Sequence, residues 1–321
     1  MNAEIFAEWF RRQGYQVART ESSYWVNLGK RVYQAFPYHW LIQPAEAELQ
    51  EFIHSQQALA LRYSTFLEAP VGCFSYHAVL GKSAYDLGSF GKKARYDVRQ
   101  GLGNCTVEKI SFERLAEEGW LLQKDTLKRQ ERQDSMSMDT WRSLCLAAEG
   151  LPGFEAWGAL IEGQLGASAI TFQLSEWVYI LFQQSHRKYL PIKLNNALSF
   201  MVTKEMIGRP LVRKIFYGLH SLDAPASVDQ FKFRMGYVAK PVRQRVVFHP
   251  WITPGINRVS HALVRKLLQL TPGNPTLAKA EGMMRFYQEG LRPLEDQNCP
   301  EILRTLDWKA ISKTTGPGAE T

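Results

Sequence analysis

Apolar residues recur at helical spacing over residues 3–13, where Ile5, Phe6, Trp9 and Phe10 fall on one face, and this predicts an amphipathic first helix. Beyond it the period shortens. GYQVAR, RVYQAF, ALALRYS and CFSYHAVL read as four short strands, with an acidic helix, AEAELQEFIHS, between the second and third. Such alternation points to a mixed α/β region rather than a bundle. SFGKKARYDVRQGLGN, residues 89–104, reads as a basic helix closed by glycine. A strand, TVEKI, follows, then helices over 112–132 and 138–149, the second with Ser137 as its cap; the intervening RQERQDSMSM is polar enough for a mobile loop.

From Trp157 the pattern changes to three strand-like runs joined by turn-sized breaks, WGALIEG, QLGASAITFQL and EWVYILFQQS, which predict an antiparallel meander. Next come a helix over about 193–207, the strand KIFYGL, a short helix and the strand RQRVVFH. The order is β-β-β-α-β-α-β. Its two helices cross between strands, so the sheet should begin antiparallel and become partly parallel. Two further helices are expected within 257–290, broken by TPGNPT, and the tail KTTGPGAET reads as disordered.

The short helix lies in DAPASVDQFKFRMGY, residues 223–237. Ser227 followed by Gln230 has capping-box spacing, and Gly236 suits the left-handed closing position. Val228, Phe231 and Met235 share a face, which leaves Lys232 and Arg234 set among aromatics.

Composition narrows the class. With 321 residues, 45% hydrophobic and 12% aromatic, the chain can bury a substantial core. No apolar run approaches the roughly 20 residues of a membrane helix, and the acidic, weakly apolar start does not read as a secretory signal. Cys73, Cys105, Cys145 and Cys299 are scattered without CxxC or Cys/His spacing. That pattern suggests no metal and fits a cytoplasmic chain with buried thiols. A net charge of +8 favours an anionic partner, whether phosphate, nucleotide, nucleic acid, acidic protein or membrane surface, without choosing among them.

No GxGxxG after a strand, GxxxxGK[ST], GxSxG or HExxH occurs. The informative chemistry is instead a basic loop, QQSHRKYLPIK, set between a strand and a helix start. His186, Arg187, Lys188 and Lys193 there, added to unpaired helix amides, would make a phosphate cradle; a merely solvated basic loop is the competing reading.

The pieces KKARYDVRQGL, VYILFQQSHRKYLPIKLNNALSF and YGLHSLDAPASVDQFKFRMGY, in the order given above, resemble the GNAT-type N-acyltransferase superfamily, and in detail its Fem-type branch. The resemblance covers roughly 89–249. It implies an α/β fold with a GNAT-type mixed sheet flanked by helices, in two GNAT-like halves. The expected division is 1–103 for a partial first half, 104–249 for the acyltransferase core, 250–311 for C-terminal helices and 312–321 for the tail.

What the resemblance further implies is a donor lying where strands 177–184 and 213–218 part. Donor contacts then fall to Gln183, Gln184, Ser185, Arg187, Lys188, Tyr189, Asn195 and Asn196. Lys232 would stabilise the oxyanion with Phe231 packed beside the acyl group, against the alternative of a structural pair between Lys232 and Asp223 or Asp229. Arg95, Arg99 and Asp223 would meet the acceptor; Arg95 and Arg99, one turn apart, could form an anion clamp, but a solvated helix face is the stronger reading of the pair.

The family's phosphate loop is glycine-rich, and SHRKYLPIK has no glycine. Acyl-CoA, an acyl-phosphopantetheine on an acyl carrier protein and aminoacyl-tRNA therefore all stay open as donors, with an amine of an amino acid or peptide as acceptor and no metal. A long basic stripe would favour tRNA; an apolar tunnel at Trp177, Tyr179 and Phe216 would favour a fatty acyl group. A third reading is a non-catalytic scaffold for nucleic acid or a membrane. In it the basic, amphipathic 257–270 lies on a bilayer rather than packing on the domain.

Overall fold

A computed structural model describes residues 2–81, 84–130, 136–222, 226–271 and 273–304. The chain forms two compact units, each assembled from separate segments. The first comprises 1–14, 78–218 and 224–238; the second comprises 15–77, 219–223 and 239–321.

In the first unit the strands β6 (Thr106–Ile110), β7 (Phe154–Ile161), β8 (Gln164–Leu174), β9 (Trp177–Ser185) and β10 (Lys214–Leu219, all but its last residue) lie in the order β10-β9-β8-β7-β6. The meander β7-β8-β9 is antiparallel, as its turn spacing required, and β10 joins β9 in parallel after a helical crossover. All of β8 beyond its first residue is buried, so both its faces are covered. α6 (Leu194–Gly208) packs Leu194 and Leu198 against Ala167, Ala169, Val178 and Ile180. α4 (Phe112–Arg129) packs on the same strands from the opposite side.

Ser111 and Ser137 cap α4 and α5 (Met138–Ala147), each accepting the amide three residues on. α1 (Ala3–Arg12) sends Phe6 onto Phe172 and Tyr179 and Trp9 onto Phe154, while the Trp9 indole N–H donates to the Leu144 carbonyl at 3.2 Å. α3 (Lys92–Leu102) and α7 (Ala226–Arg234) complete the unit.

In the second unit β1 (Val17–Arg19), β2 (Tyr24–Asn27), β3 (Val32–Phe36), β4 (Ala60–Thr65) and β11 (Val238–Phe248, from its second residue) follow that spatial order. α2 (Glu46–Ser55) is the crossover between the parallel pair β3 and β4; its Leu49, Phe52 and Ile53 bury against Trp25, Tyr33, Leu61 and Tyr63. α8 (Arg258–Leu270) and α9 (Pro275–Gly290) follow β11, and Met283 and Phe286 of α9 pack with Ala60, Cys73 and Val246. The strand β5 (Cys73–Gly81) gives Cys73–His77 to this unit and 78–81 to the other.

The expected α/β class, a mixed sheet flanked by helices, is observed. Two details differ. β2 lies in SSYWVN, where Ser and Asn break the apolar run, and β11 begins at Val238 rather than near 243 because the strand tolerates Pro241 within it.

Candidate active site

The site lies in the first unit, where β9 and β10 part. Their register holds for three pairs, Lys214↔Trp177, Ile215↔Val178 and Phe216↔Tyr179. β9 then continues to Ser185 without β10 beside it in register, so the backbone groups along that edge face a gap. β9 is also bulged: Thr171 pairs with Ile180 and Ile170 with Phe182, which leaves Leu181 without a partner residue. A bulge turns backbone groups out of the ladder and re-aims them.

One hydrogen-bonded chain spans the opening. Tyr217, on β10, donates its hydroxyl to Gln183 Oε1 at 2.5 Å, and Gln183 Nε2 donates to Asn195 Oδ1 at 2.9 Å on the first turn of α6. Burial, with the neighbouring Tyr85, raises the Tyr217 phenol well above its usual value, so it acts as a neutral donor. Tyr237 stacks obliquely on Tyr217 at 4.9 Å between centroids and shares a 2.8 Å hydrogen bond with Thr203.

α7 brings the candidate cation to the same place. Lys232 Nζ stands 5.5 Å from the Tyr217 ring centroid and 2.7 Å from Asp229 Oδ1, one turn back on its own helix. It also lies 3.6 Å from where a side chain at Gly218 would begin, and Gly218, at φ +147°, takes backbone geometry that favours glycine. Phe231 is half-buried against the core, Met235 is fully buried, and Gly236 at φ +85° closes the helix as its position predicted. Asp223 and the Ser227 side chain lie outside the described residues.

The basic loop is largely neutralised. Arg187 gives both its backbone N–H and its guanidinium to Asp125 of α4. Burial opposes ionisation of that carboxylate, but the bonds from Arg187 outweigh it and hold Asp125 below its ordinary range. Lys193 pairs with Asp97 at 3.6 Å. Lys188 rests over the Tyr189 ring at 5.1 Å, and the Tyr189 hydroxyl reaches Gln164 at 3.3 Å.

Ser185 is clamped by Thr126 and Arg129. The buried side-chain amide of Gln184 and the hydroxyl of its cross-strand neighbour Ser168 have no hydrogen-bond partner among the described residues. Asn196 sits 3.8 Å from the Met235 sulfur. The first turn of α6 has no side-chain cap, with Lys193 at φ +62° before it; the Asn196 N–H donates to the Lys193 carbonyl at 3.0 Å, which leaves the Leu194 and Asn195 amides at the helix start to meet an anion.

α3 joins this loop through Gln100, which donates to the Pro191 carbonyl. Arg95 folds back onto the Phe90 carbonyl at 3.1 Å, and Arg99 is exposed one turn on. No contact among the described residues links either arginine to the Lys232–Tyr217–Gln183–Asn195 chain. The structure thus gathers Gln183, Asn195 and Lys232 and adds Tyr217 and the Leu181 bulge, which the sequence reading did not single out.

No family model matches the sequence, and no curated protein does. Solved structures share the fold, among them the following three. The C-terminal domain of a protein assigned as a lysylphosphatidylglycerol synthetase from Agrobacterium fabrum superposes with a TM-score of 0.53 at 14% identity, over 84% of this chain and 92% of that one. FemX gives 0.53 at 10% identity, over 78% and 92%. L-PGS from Bacillus licheniformis gives 0.50 at 12%, over 77% and 91%. Among the described residues no helix is long and apolar enough to cross a membrane, and no group of three or more His, Cys, Asp and Glu side chains could hold a metal ion.

Proposed function

We propose that this chain is an N-acyltransferase that moves an acyl group from a thioester, on coenzyme A or an acyl carrier protein, to an amine of an amino acid or peptide. The observation that carries this reading is the parting of β9 from β10 after three residue pairs, with an unpaired strand edge, a bulge and a lysine converging on the gap. An extended pantetheine arm fits such an edge, because amide groups can complete the unfinished ladder. The neutralised loop fits a pyrophosphate less well.

In this mechanism the neutral amine nitrogen attacks the acyl carbon, the carbonyl electrons move onto oxygen, and collapse breaks the carbon–sulfur bond while the proton lost by the nitrogen passes to the departing thiolate, giving an amide and a free thiol. Lys232 and the amide at the Leu181 bulge are the donors placed to hold the oxyanion, with Phe231 beside the acyl group. Tyr217, protonated at neutral pH, orients Gln183. Asn195 and Asn196 with the first turn of α6 hold the donor's distal end, together with Ser185, Gln184 and Lys188.

A second reading, transfer from aminoacyl-tRNA, is favoured by one observation. The basic helix α3, with Lys92, Lys93 and Arg99 exposed, adjoins the 185–193 loop. Tyr179 and Phe216 meanwhile fill the space a fatty acyl tunnel would need, their rings packed at 5.5 Å. The similarity to proteins named FemX and lysylphosphatidylglycerol synthetase agrees with aminoacyl transfer.

The test is transfer to a panel of amino acids and peptides from acetyl-CoA, acyl carrier protein thioester and aminoacyl-tRNA. Turnover with a thioester supports the first reading, turnover with aminoacyl-tRNA alone selects the second, and none from any donor by folded protein refutes transfer. Lys232→Met should lower turnover on the order of 10²–10³ with donor affinity nearly unchanged. Equal loss of stability, affinity and turnover would make the Lys232–Asp229 pair purely structural.

A further inference from the structure

α8 in the second unit has an outer face that nothing among the described residues covers. The helix is well made: Asn257 accepts from Val259 N and Ser260 N, and the Ser260 hydroxyl accepts in return from Asn257 N. Its inner side is fixed to α9, where His261 bonds Gln288 and Glu281, each at 3.0 Å. Yet no residue of α8 is buried. Val259 is 80% exposed and Leu270 71%, and Leu263 and Leu267 between them are exposed too. These four positions, at spacings of four, four and three, form one stripe along the 13-residue helix from its second residue to its last. Seven residues before the helix, Trp251 is 90% exposed.

Apolar side chains are not left in water in a contiguous row without cause. The charges on the exposed side of the helix say what covers it. Arg258, Arg265 and Lys266 are exposed, and α8 contains no acidic residue. An apolar stripe flanked by Lys266, with Arg258 and Arg265 further round the same exposed side and an exposed tryptophan nearby, matches the boundary between acyl chains and anionic headgroups.

We propose that α8 and Trp251 dock the protein on the surface of an anionic bilayer, the stripe sunk at the acyl boundary and Arg258, Arg265 and Lys266 among the headgroups. The helix lies on the membrane and does not cross it. This docking does not depend on the transfer reaction, so it stands or falls separately.

The test is co-sedimentation of the full chain with vesicles of phosphatidylcholine alone and of phosphatidylcholine mixed with phosphatidylglycerol, at low and raised salt. The protein should bind the mixed vesicles, bind neutral ones far less, and release as salt rises. Arg265→Glu with Lys266→Glu should weaken binding on the order of 20-fold or more. Leu263→Glu with Leu270→Glu should weaken it about tenfold or more. Both pairs are exposed, so the melting temperature should hold.

Absence of binding to anionic vesicles at low salt overturns the proposal, as does binding that both double variants leave unchanged. A concentration-dependent dimer that Leu263→Glu dissociates, without vesicle binding, would assign the stripe to a second copy of the chain and also overturn it.

Discussion

His77 shows how a single buried side chain ties stability to acidity. In β5 of the second unit it is 2% exposed, and its Nε2 sits 2.8 Å from the Ser64 hydroxyl. Burial first, then the positive charges of His39, Lys240 and Arg62, push its pKa from 6.5 down to about 3. Between those values the unfolded chain binds a proton that the folded one refuses. Stability is therefore complete above about pH 6.5 and falls as pH drops toward 3, by about 3 kcal/mol near pH 4.5. Thermal melts across that range should show the slope, and His77→Gln should flatten it; an unchanged slope would place the acid sensitivity elsewhere. Residue-level reading of the sequence reached some of this chemistry. The Lys232–Asp229 pair, three residues apart, was legible as one of two outcomes. The Arg187–Asp125 pair was not, because its partners lie 62 residues apart and only the packed fold brings them together.

At the scale of elements, Gly101 decides how closely the basic helix α3 approaches α6. A Cβ there would stand 2.5 Å from the Lys193 carbonyl oxygen and 2.8 Å from the Ala197 Cβ. Glycine to alanine inside a helix ordinarily stabilises by about 0.5–1 kcal/mol. Here the clash is with backbone, which cannot step aside, and overpacking of about 1–3 kcal/mol wins. Gly101→Ala should lower the denaturant midpoint; a raised midpoint would show that the helices can separate freely. The helices and the meander were visible in sequence because periodicity and turn residues are local. The parting of β9 from β10 was visible only through family resemblance, since register depends on which strands become neighbours. Tyr217 is hidden in the sequence for a related reason: in KIFYGL it is one aromatic among others, and only the folded chain brings its hydroxyl to Gln183.

For the molecule as a whole, the consequential feature is that the first unit draws its segments from both ends of a long interval. α1 supplies Phe6, Trp9 and Phe10 to a core containing Phe154, Phe172 and Tyr179. Burying three large aromatic side chains is worth roughly 5–9 kcal/mol, comparable to the 5–15 kcal/mol that holds an ordinary domain together. Deleting residues 2–14 should therefore leave protein that binds hydrophobic dyes and melts without cooperativity; a cooperative melt would show that α1 is dispensable. The same arrangement sets a schedule for synthesis. A ribosome adding about 5–20 residues per second needs roughly 7–35 s to make the strands that α1 must meet. For that interval three aromatic side chains emerge with no shelter of their own, a natural handhold for a chaperone at the exit tunnel.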